Sequence, residues 1–475
     1  MNGALLHLAA SPGAGGDSMQ GIVFLFATIL ALIVVAAAAL IALKRRPTHA
    51  ALPPLSMLTT FADDLPLAAP EPPAGRLDRH RHETALASRA RFEACRIAAD
   101  LGLSAGGAGE PEGRVWILAG PGPTGAVALA VARHLEAWGV HVTAQVLAPP
   151  EKLGTDARRE RLTLEKARCS PIDSPVPRAL DGVAVLVAGV EDALLPKLRR
   201  EALAEQYREA AAQGTRIDQL DAFDAVFVPP APQREDLTIP VPGLPLTRED
   251  VRLLDAYAQE HYGILGAALM ENAGYWAARE TFLAAHDLAA RKNGETPRVT
   301  ILCGRGNNGG DGMVVARYLL WWGLEPRVIL LGTRERCSED CGNNYDLLEQ
   351  EGLKIAALFD PTQWPRFAGA LDQAHLIVDA VLGTGMSGEV RGDAKEAIER
   401  INAARRGGAW VLALDCPSGL DNNTGAALGV CVEADLTVTF AAPKVGFALE
   451  RGPEVCGQVI LADIGLPRDL YRRKN

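Results

Sequence analysis

The sequence predicts an α/β protein in which a Rossmann-like three-layer αβα sandwich with a mostly parallel sheet is present twice, preceded by one N-terminal transmembrane helix. Three observations predict this. Short, nearly continuous apolar runs alternate with helical segments, the pattern of a parallel sheet covered on both faces. The stretches GPGPTGAVALAVARHL from Gly120 and GRGNNGGDGMVVARYL from Gly304 align without a gap, and each is followed by a Trp-Gly pair, Trp138-Gly139 and Trp322-Gly323. An internal repeat of this length means two related domains. Finally, residues 21–43 (GIVFLFATILALIVVAAAALIAL) carry no charge.

As a helix, that apolar run spans roughly 35 Å, enough for a bilayer core. Lys44, Arg45 and Arg46 follow at once, whereas residues 1–20 carry only Asp17. The positive-inside rule then puts residues 1–20 outside and the rest in the cytoplasm, as a single-pass protein of the inner (cytoplasmic) membrane. A cleaved signal peptide would have basic residues ahead of a shorter apolar run. Residues 44–82, rich in Pro and Ala, are expected to be a linker.

The first domain is expected over 83–235. An Arg- and Ala-rich helix leads to a strand at 115–120, a Gly-rich turn, a helix at 126–139 and a strand at 142–148. A strand at 183–190 and a helix from about 195 to 213 continue the alternation. Residues 229–246 hold six prolines and mark the boundary. The second domain is expected over 245–470. Thr247, with Asp250 three residues on, resembles a capping box and opens a helix. A helix around 270–285 follows, then a strand at 299–303, a Gly-rich turn, a helix at 313–323 and a strand at 327–332. Further strands fall at 375–383, 410–415, 436–441 and 459–465.

Composition narrows the function. The chain has 475 residues, 22% charged and 48% apolar, as in an ordinary globular protein. A net charge of −10 argues against nucleic acid, which selects for a basic face. The eight cysteines are scattered. Cys337 and Cys341 are four apart but have no second Cys or His pair, so they read as reduced thiols and not as a zinc site.

Chemistry concentrates in the second domain. Gly304, Gly306 and Gly309 form a GxGxxG between strand and helix, a turn whose N–H groups receive an anion such as phosphate. The acid expected to hold an NAD ribose at the end of the next strand is missing near LLGTRER, which speaks against an ordinary dehydrogenase or another Rossmann enzyme such as a methyltransferase. The insert Asn307, Asn308, Gly309, Gly310, Asp311 instead joins two amides and a carboxylate to a phosphate-type loop. An acid there repels phosphate unless it faces a cation or a ligand hydroxyl. Asp379 and Asp415 each end a predicted strand, where parallel sheets bind ligands.

These residues resemble a known family. MENAG at 270–274, GRGNNGGDG at 304–312, DAVLGTGMSGEVRG at 379–392, LDCPSGLDNNTG at 414–425 and TFAAPKVGF at 439–447 are similar, in order, to the YjeF N-terminal domain family. Its enzymatic members are NAD(P)H-hydrate epimerases. The resemblance implies interconversion of the R and S forms of NADHX and NADPHX, the hydrated nicotinamide cofactors, at C6 of the ring. It implies a substrate loop at Asn307, Asn308, Gly309, Gly310 and Asp311. A second is implied at Gly383, Thr384, Gly385, Met386, Ser387, Gly388 and Glu389, with a further contact at Asp415. It also implies one potassium ion (K+) held by Asn308, Asp379 and Ser418. An amide, a carboxylate and a hydroxyl are hard oxygen donors suited to such an ion. Epimerisation passes through a cationic iminium or an aldehyde-like species, so a carboxylate is needed to stabilise charge and move a proton. Asp379 or Asp311 is expected to do this, with Lys444 assisting.

The first domain lacks these groups. Pro123, Thr124 and Val127 stand where the second has Asn307, Asn308 and Asp311; Ala188 stands for Asp379 and Gln233 for Lys444. Gly120, Gly122, Gly125, Arg133 and Trp138 persist, so a degenerate copy is expected, serving as scaffold, regulatory module or intrachain dimerisation partner. A homodimer is the other possibility. Many family members are fused to an ADP/ATP-dependent hydrate dehydratase; only ten residues follow position 465, so a separate dehydratase is expected to act in sequence. The alternative of another class is a non-catalytic nucleotide-binding or scaffold module, the fold's role in RNA-decapping scaffolds.

Overall fold

The computed structural model describes residues 71–102, 114–167, 169, 171–173, 183–191, 194, 197–224, 227–232, 244–291 and 295–471. The predicted membrane span 21–43 and its flanks lie outside these residues, as does most of the predicted linker. Among the described residues no helix is long and apolar enough to cross a membrane.

The first half comprises α1 (Arg76–Asp100), β1 (Arg114–Ala119), α2 (Pro123–Ala137), β2 (His141–Val146), α3 (Thr155–Lys166), β3 (Ile172–Asp173), β4 (Val183–Gly189), α4 (Lys197–Ala212) and β5 (Arg216–Gln219). Its sheet is ordered β3-β2-β1-β4-β5, and every pair is parallel. Helix α1 starts at Arg76, inside the segment expected to be linker. Its buried residues begin at His80, so packing extends the helix toward the N-terminus.

The second half comprises α5 (Arg248–Glu260), α6 (Gly266–Arg291), β6 (Val299–Cys303), α7 (Asn307–Trp321), β7 (Arg327–Leu331), α8 (Glu339–Gln350) and β8 (Ile355–Leu358). Then follow α9 (Trp364–Asp372), β9 (Leu376–Ala380), α10 (Gly392–Arg406), β10 (Trp410–Leu414), β11 (Leu436–Phe440), α11 (Gly452–Val455), β12 (Gln458–Ala462) and α12 (Arg468–Tyr471). This sheet is ordered β12-β11-β10-β9-β6-β7-β8, again with parallel pairs throughout. Strands β6, β9 and β11 are buried along their whole length, as continuous apolar runs require.

Local signals set several boundaries. Thr247 closes a reciprocal capping box with Asp250 at the start of α5. The repeated Trp-Gly pair is a helix stop: Trp138 and Trp322 are C-caps, followed by Gly139 at φ 87° and Gly323 at φ 83° in the left-handed region. Both α2 and α7 begin earlier than their apolar patterns suggest. The PTG and NNGGD segments are wound into the first turns, because tertiary packing overrides the poor helix propensity of glycine.

One hydrophobic core runs through both halves. Ile97, Leu129 and Leu135 of the first belong to the same buried cluster as Trp276, Val314 and Tyr318 of the second. Helix α1 lies along α6. At their contact the buried Arg91 guanidinium stacks 3.6 Å from the ring of Tyr275 and donates to Asn272 Oδ1 at 3.0 Å. A second cluster, with Ile377, Val411, Trp364 and Ile398, fills the far face of the seven-stranded sheet under α9 and α10. The chain order reverses between β6 and β9, so their carboxyl ends splay apart and open a crevice there.

Candidate active site

The loops leaving β6 and β9 border a cavity of about 840 Å³. The loop after β6 is held by glycines that cannot carry a side chain. A Cβ on Gly304 would lie 2.0 Å from the Val381 carbonyl oxygen, and one on Gly309 would lie 1.9 Å from that of Gly304. Gly310 packs the same way against Met270 Sδ (2.7 Å). Gly309 and Gly310 therefore close the wall without lining the cavity. Gly306, the N-cap of α7, has open space and no side-chain cap, and with Asn307 and Asn308 it faces the cavity. The unpaired N–H groups of a helix start favour an anion there.

Asp311 follows on the first turns of α7. Its carboxylate is buried, lines the cavity, and receives no hydrogen bond or ion pair from the described residues. Burial pushes its pKa well above the carboxylate range, and the nearby charges of Asp415, Asp255 and Asp340 push it the same way.

Asp379, at the end of β9, is fully buried and behind the wall. It accepts from Ser418 N (2.8 Å), Ser418 Oγ (2.6 Å) and Val381 N (3.2 Å). Burial raises its pKa to about 6, against the pull of the Ser418 bonds. Ser418 Oγ accepts in turn from Leu382 N at 2.8 Å. Asp379 thus fixes the turn after β9 and does not line the cavity, contrary to the expectation that it meets the substrate.

Lys444 corrects a second expectation. Its Nζ is enclosed by Asp415 Oδ1 (2.7 Å), Thr439 Oγ1 (2.9 Å), Phe440 O (2.9 Å) and Ala442 O (3.1 Å). Saturated and walled off, it anchors Asp415 and is not a proton donor to a ligand. Asp415 sits in the left-handed region at φ 64° and uses its other oxygen to accept from Thr384 N at 3.0 Å. Ala441, also lining the cavity, has φ 62°. Left-handed non-glycine residues cost about 1–2 kcal/mol each and cluster at working sites.

The residues that the resemblance implies as potassium ligands each approach the turn 381–384, Asp379 through Val381 N at 3.2 Å. A Cβ on Gly383 would touch Asn308 Cγ (3.3 Å) and Asp415 Oδ2 (3.2 Å), and Ser418 Oγ holds the amide of the adjacent Leu382. Both amide atoms of Asn308 are buried with no hydrogen-bond partner. A buried amide with no partner among the described residues, on the same turn as the Asp415 carboxylate, is a donor set that a hard monovalent cation accepts.

Of the second predicted loop, Gly383, Thr384, Gly385 and Met386 line the cavity. Ser387, Gly388 and Glu389 do not: they are exposed, and Glu389 pairs with Arg391 at 3.1 Å. The sequence reading missed the opposite side. Helix α5 contributes Arg252, Asp255 and Gln259, at helical spacing on one face. Burial, then the charge of Asp415, raises Asp255 to about 6. Arg305 and Asp340 also line the cavity.

The corresponding place in the first half is already filled. The Glu191 carboxylate lies on the start of α2, where Thr124 N donates to Oε1 at 2.6 Å. Thr124 Oγ1, in the position of Asn308, accepts from Phe223 N at 3.0 Å. Gln233 lies outside the described residues.

Residues 84–221 and 266–446 match the family described as YjeF-related protein N-terminus. A bifunctional NAD(P)H-hydrate repair enzyme Nnr of Moorella thermoacetica is 39% identical over 225 residues, 47% of this chain and 41% of that protein. An NAD(P)H-hydrate epimerase of Pirellula staleyi is 39% identical over 225 residues, 47% of this chain and 93% of its own length. One of Rhodopirellula baltica is 36% identical over 229 residues, 48% and 87% respectively. The chain spans about two fifths of the length of the bifunctional relatives it matches. With both halves matched, over about two thirds of its length, the chain belongs to the family of YjeF-related protein N-terminal domains.

Proposed function

We propose that the second domain epimerises NADHX and NADPHX at C6 of the hydrated nicotinamide ring, as an NAD(P)H-hydrate epimerase of cofactor repair. The observation that carries this reading is Asp311, a buried carboxylate without a hydrogen-bond or ion-pair partner among the described residues, which faces a nucleotide-sized cavity beside a helix start. The start of α7 and Arg305 would take the pyrophosphate. Asp311, whose surroundings favour its protonated form, gives its proton to the departing C6 hydroxyl, which leaves as water. The carboxylate left behind stabilises the iminium cation. Water returns on the other face of the ring, and its proton passes to a second carboxylate lining the cavity, which we assign to Asp255.

Asn308, Asp379 and Ser418 would hold the potassium ion. When bound, it supplies positive charge that offsets the carboxylates near a pyrophosphate. Asp379 and Lys444 act by holding Ser418 and Asp415 in place. The first domain is a non-catalytic, degenerate copy. Residues 21–43 would anchor the chain in the cytoplasmic membrane with both domains in the cytoplasm, and a hydrate dehydratase would act in sequence.

The test supplies the full-length protein with S-NADHX and follows the epimer ratio with potassium and with potassium replaced by a bulky organic cation. Wild type should exceed the spontaneous rate, and Asp311→Asn should lose about 10²–10⁴-fold in kcat while still binding nucleotide. Asn308→Ala should bind nucleotide equally with and without potassium. An Asp311→Asn variant at the wild-type rate would remove Asp311 from the chemistry. A wild type that binds nucleotide but leaves the ratio drifting at the background pace would favour the binding-module reading.

A further inference from the structure

The sequence repeat keeps Arg133 and Trp138 in a half that lost its polar loop; Arg133 Nε pairs with Glu160 of its own half at 3.2 Å, and both residues also reach into the second half. Trp138 Nε1 donates to Asp463 Oδ2 of the second half at 3.1 Å, and Arg133 Nη1 donates to the Gly465 carbonyl oxygen at 2.5 Å. His134, fully buried, lies with Nδ1 3.6 Å from the same Asp463 carboxylate. The turn they grip follows β12 and has no slack. Gly465 stands at φ 82°, and a Cβ there would lie 2.7 Å from His134 Cε1 and 3.0 Å from Arg133 Nη1. Its N–H donates back to Asp463 Oδ1 at 3.0 Å. The middle residue is Ile464, whose carbonyl accepts from Asn272 Nδ2 at 3.0 Å. Ile464 lines the cavity.

The turn 463–465 therefore has the first domain on its outer side and the ligand space on its inner side. We propose that the first domain positions one wall of the second domain's cavity, with Arg133, His134 and Trp138 as positioning residues that act through Asp463 and Gly465 on Ile464. Nucleotide affinity in the second domain then depends on a domain whose own helix start, at α2, is occupied by the Glu191 carboxylate. This rests on the cavity being the nucleotide site proposed above.

Three contacts of this kind share one short segment, so losing one loosens Ile464 without opening the core. Trp138→Phe removes the indole N–H and keeps an aromatic ring. In the full-length protein it should raise KM for NADHX, and Kd for unhydrated NADH used as a probe, by about tenfold, with kcat within about twofold of wild type. Ile464→Ala should weaken binding similarly. The double variant should be no weaker than Ile464→Ala alone, because the two substitutions act on one element. Hydrogen exchange at the Gly465 amide reads the turn directly, independent of the substrate's identity: it should speed up in Trp138→Phe while exchange in β6 and β9 stays unchanged. KM and Kd within twofold of wild type, effects that add in the double variant, or faster exchange throughout the sheet would each overturn the proposal. A wild type that neither epimerises NADHX nor binds NADH would instead sink the functional reading. The exchange experiment would then still decide whether the first domain holds the turn.

Discussion

Two carboxylates lining the cavity, Asp311 on the first turns of α7 and Asp415 just after β10, have opposite circumstances. Asp311 is buried with no hydrogen bond or ion pair among the described residues, whereas Asp415 shares a 2.7 Å ion pair with an enclosed lysine. Such a pair is costly to break from one side, since the survivor keeps its desolvation penalty and loses its partner. Lys444→Met should therefore destabilise the protein by about 3–5 kcal/mol, measured by urea unfolding. A loss below about 1 kcal/mol would mean that Asp415 reaches water or another donor when Lys444 is gone. The sequence reading located Asp379, Asp415 and Asp311 because strand ends and Gly-rich turns are visible as patterns. It did not separate wall residues from those behind the wall. That distinction rests on how far β9 and β10 project beyond the crevice, which no local pattern encodes. Asp255 was hidden for another reason: helix α5 is remote in sequence from every motif, and only folding brings it over the site.

At the level of elements, the start of α7 is an exercise in close approach. Two of its glycines, Gly306 and Gly309, look alike in sequence and differ in space. Gly306→Ala should cost less than about 1 kcal/mol, because its φ of −90° suits alanine and its surroundings are open. Gly309→Ala should cost about 3 kcal/mol or more, because the backbone of Gly304 stands in the way. Gly125→Ala in the first half should match it, since a Cβ there would lie 2.0 Å from the Gly120 carbonyl oxygen. Chemical denaturation of the three variants checks the ordering. Equal losses at Gly306 and Gly309 would show that helix propensity, not packing, governs the turn. The strands β6, β9, β10 and β11 were legible as unbroken apolar runs. Helices α8, α9 and α10 were not singled out. They are short and mix polar with apolar residues, and they take their place from the sheet faces they cover.

Across the whole molecule, the repeat predicted two domains, and the structure joins them through one core in which α1 runs along α6. Residues that cross this contact, such as Arg91 and Asn272, are buried and polar, so separating the halves would strand them. Thermal unfolding should accordingly show one cooperative transition, seen at the same temperature by calorimetry and by fluorescence. Two resolved transitions would mean that the halves are independently stable. A single sequence showed which residues the copies share. It did not show that Trp138, and one end of the Arg133 guanidinium, reach across to the other half, because identity between repeats carries no direction.

The carboxylate of Glu191 on the start of α2 has its own consequence. A built-in anion already occupies the seat a phosphate would take, and its charge repels any newcomer. On the proposed reading, in which the second half takes the nucleotide, saturation should therefore follow a one-to-one stoichiometry, because the corresponding helix start of the first half is already taken.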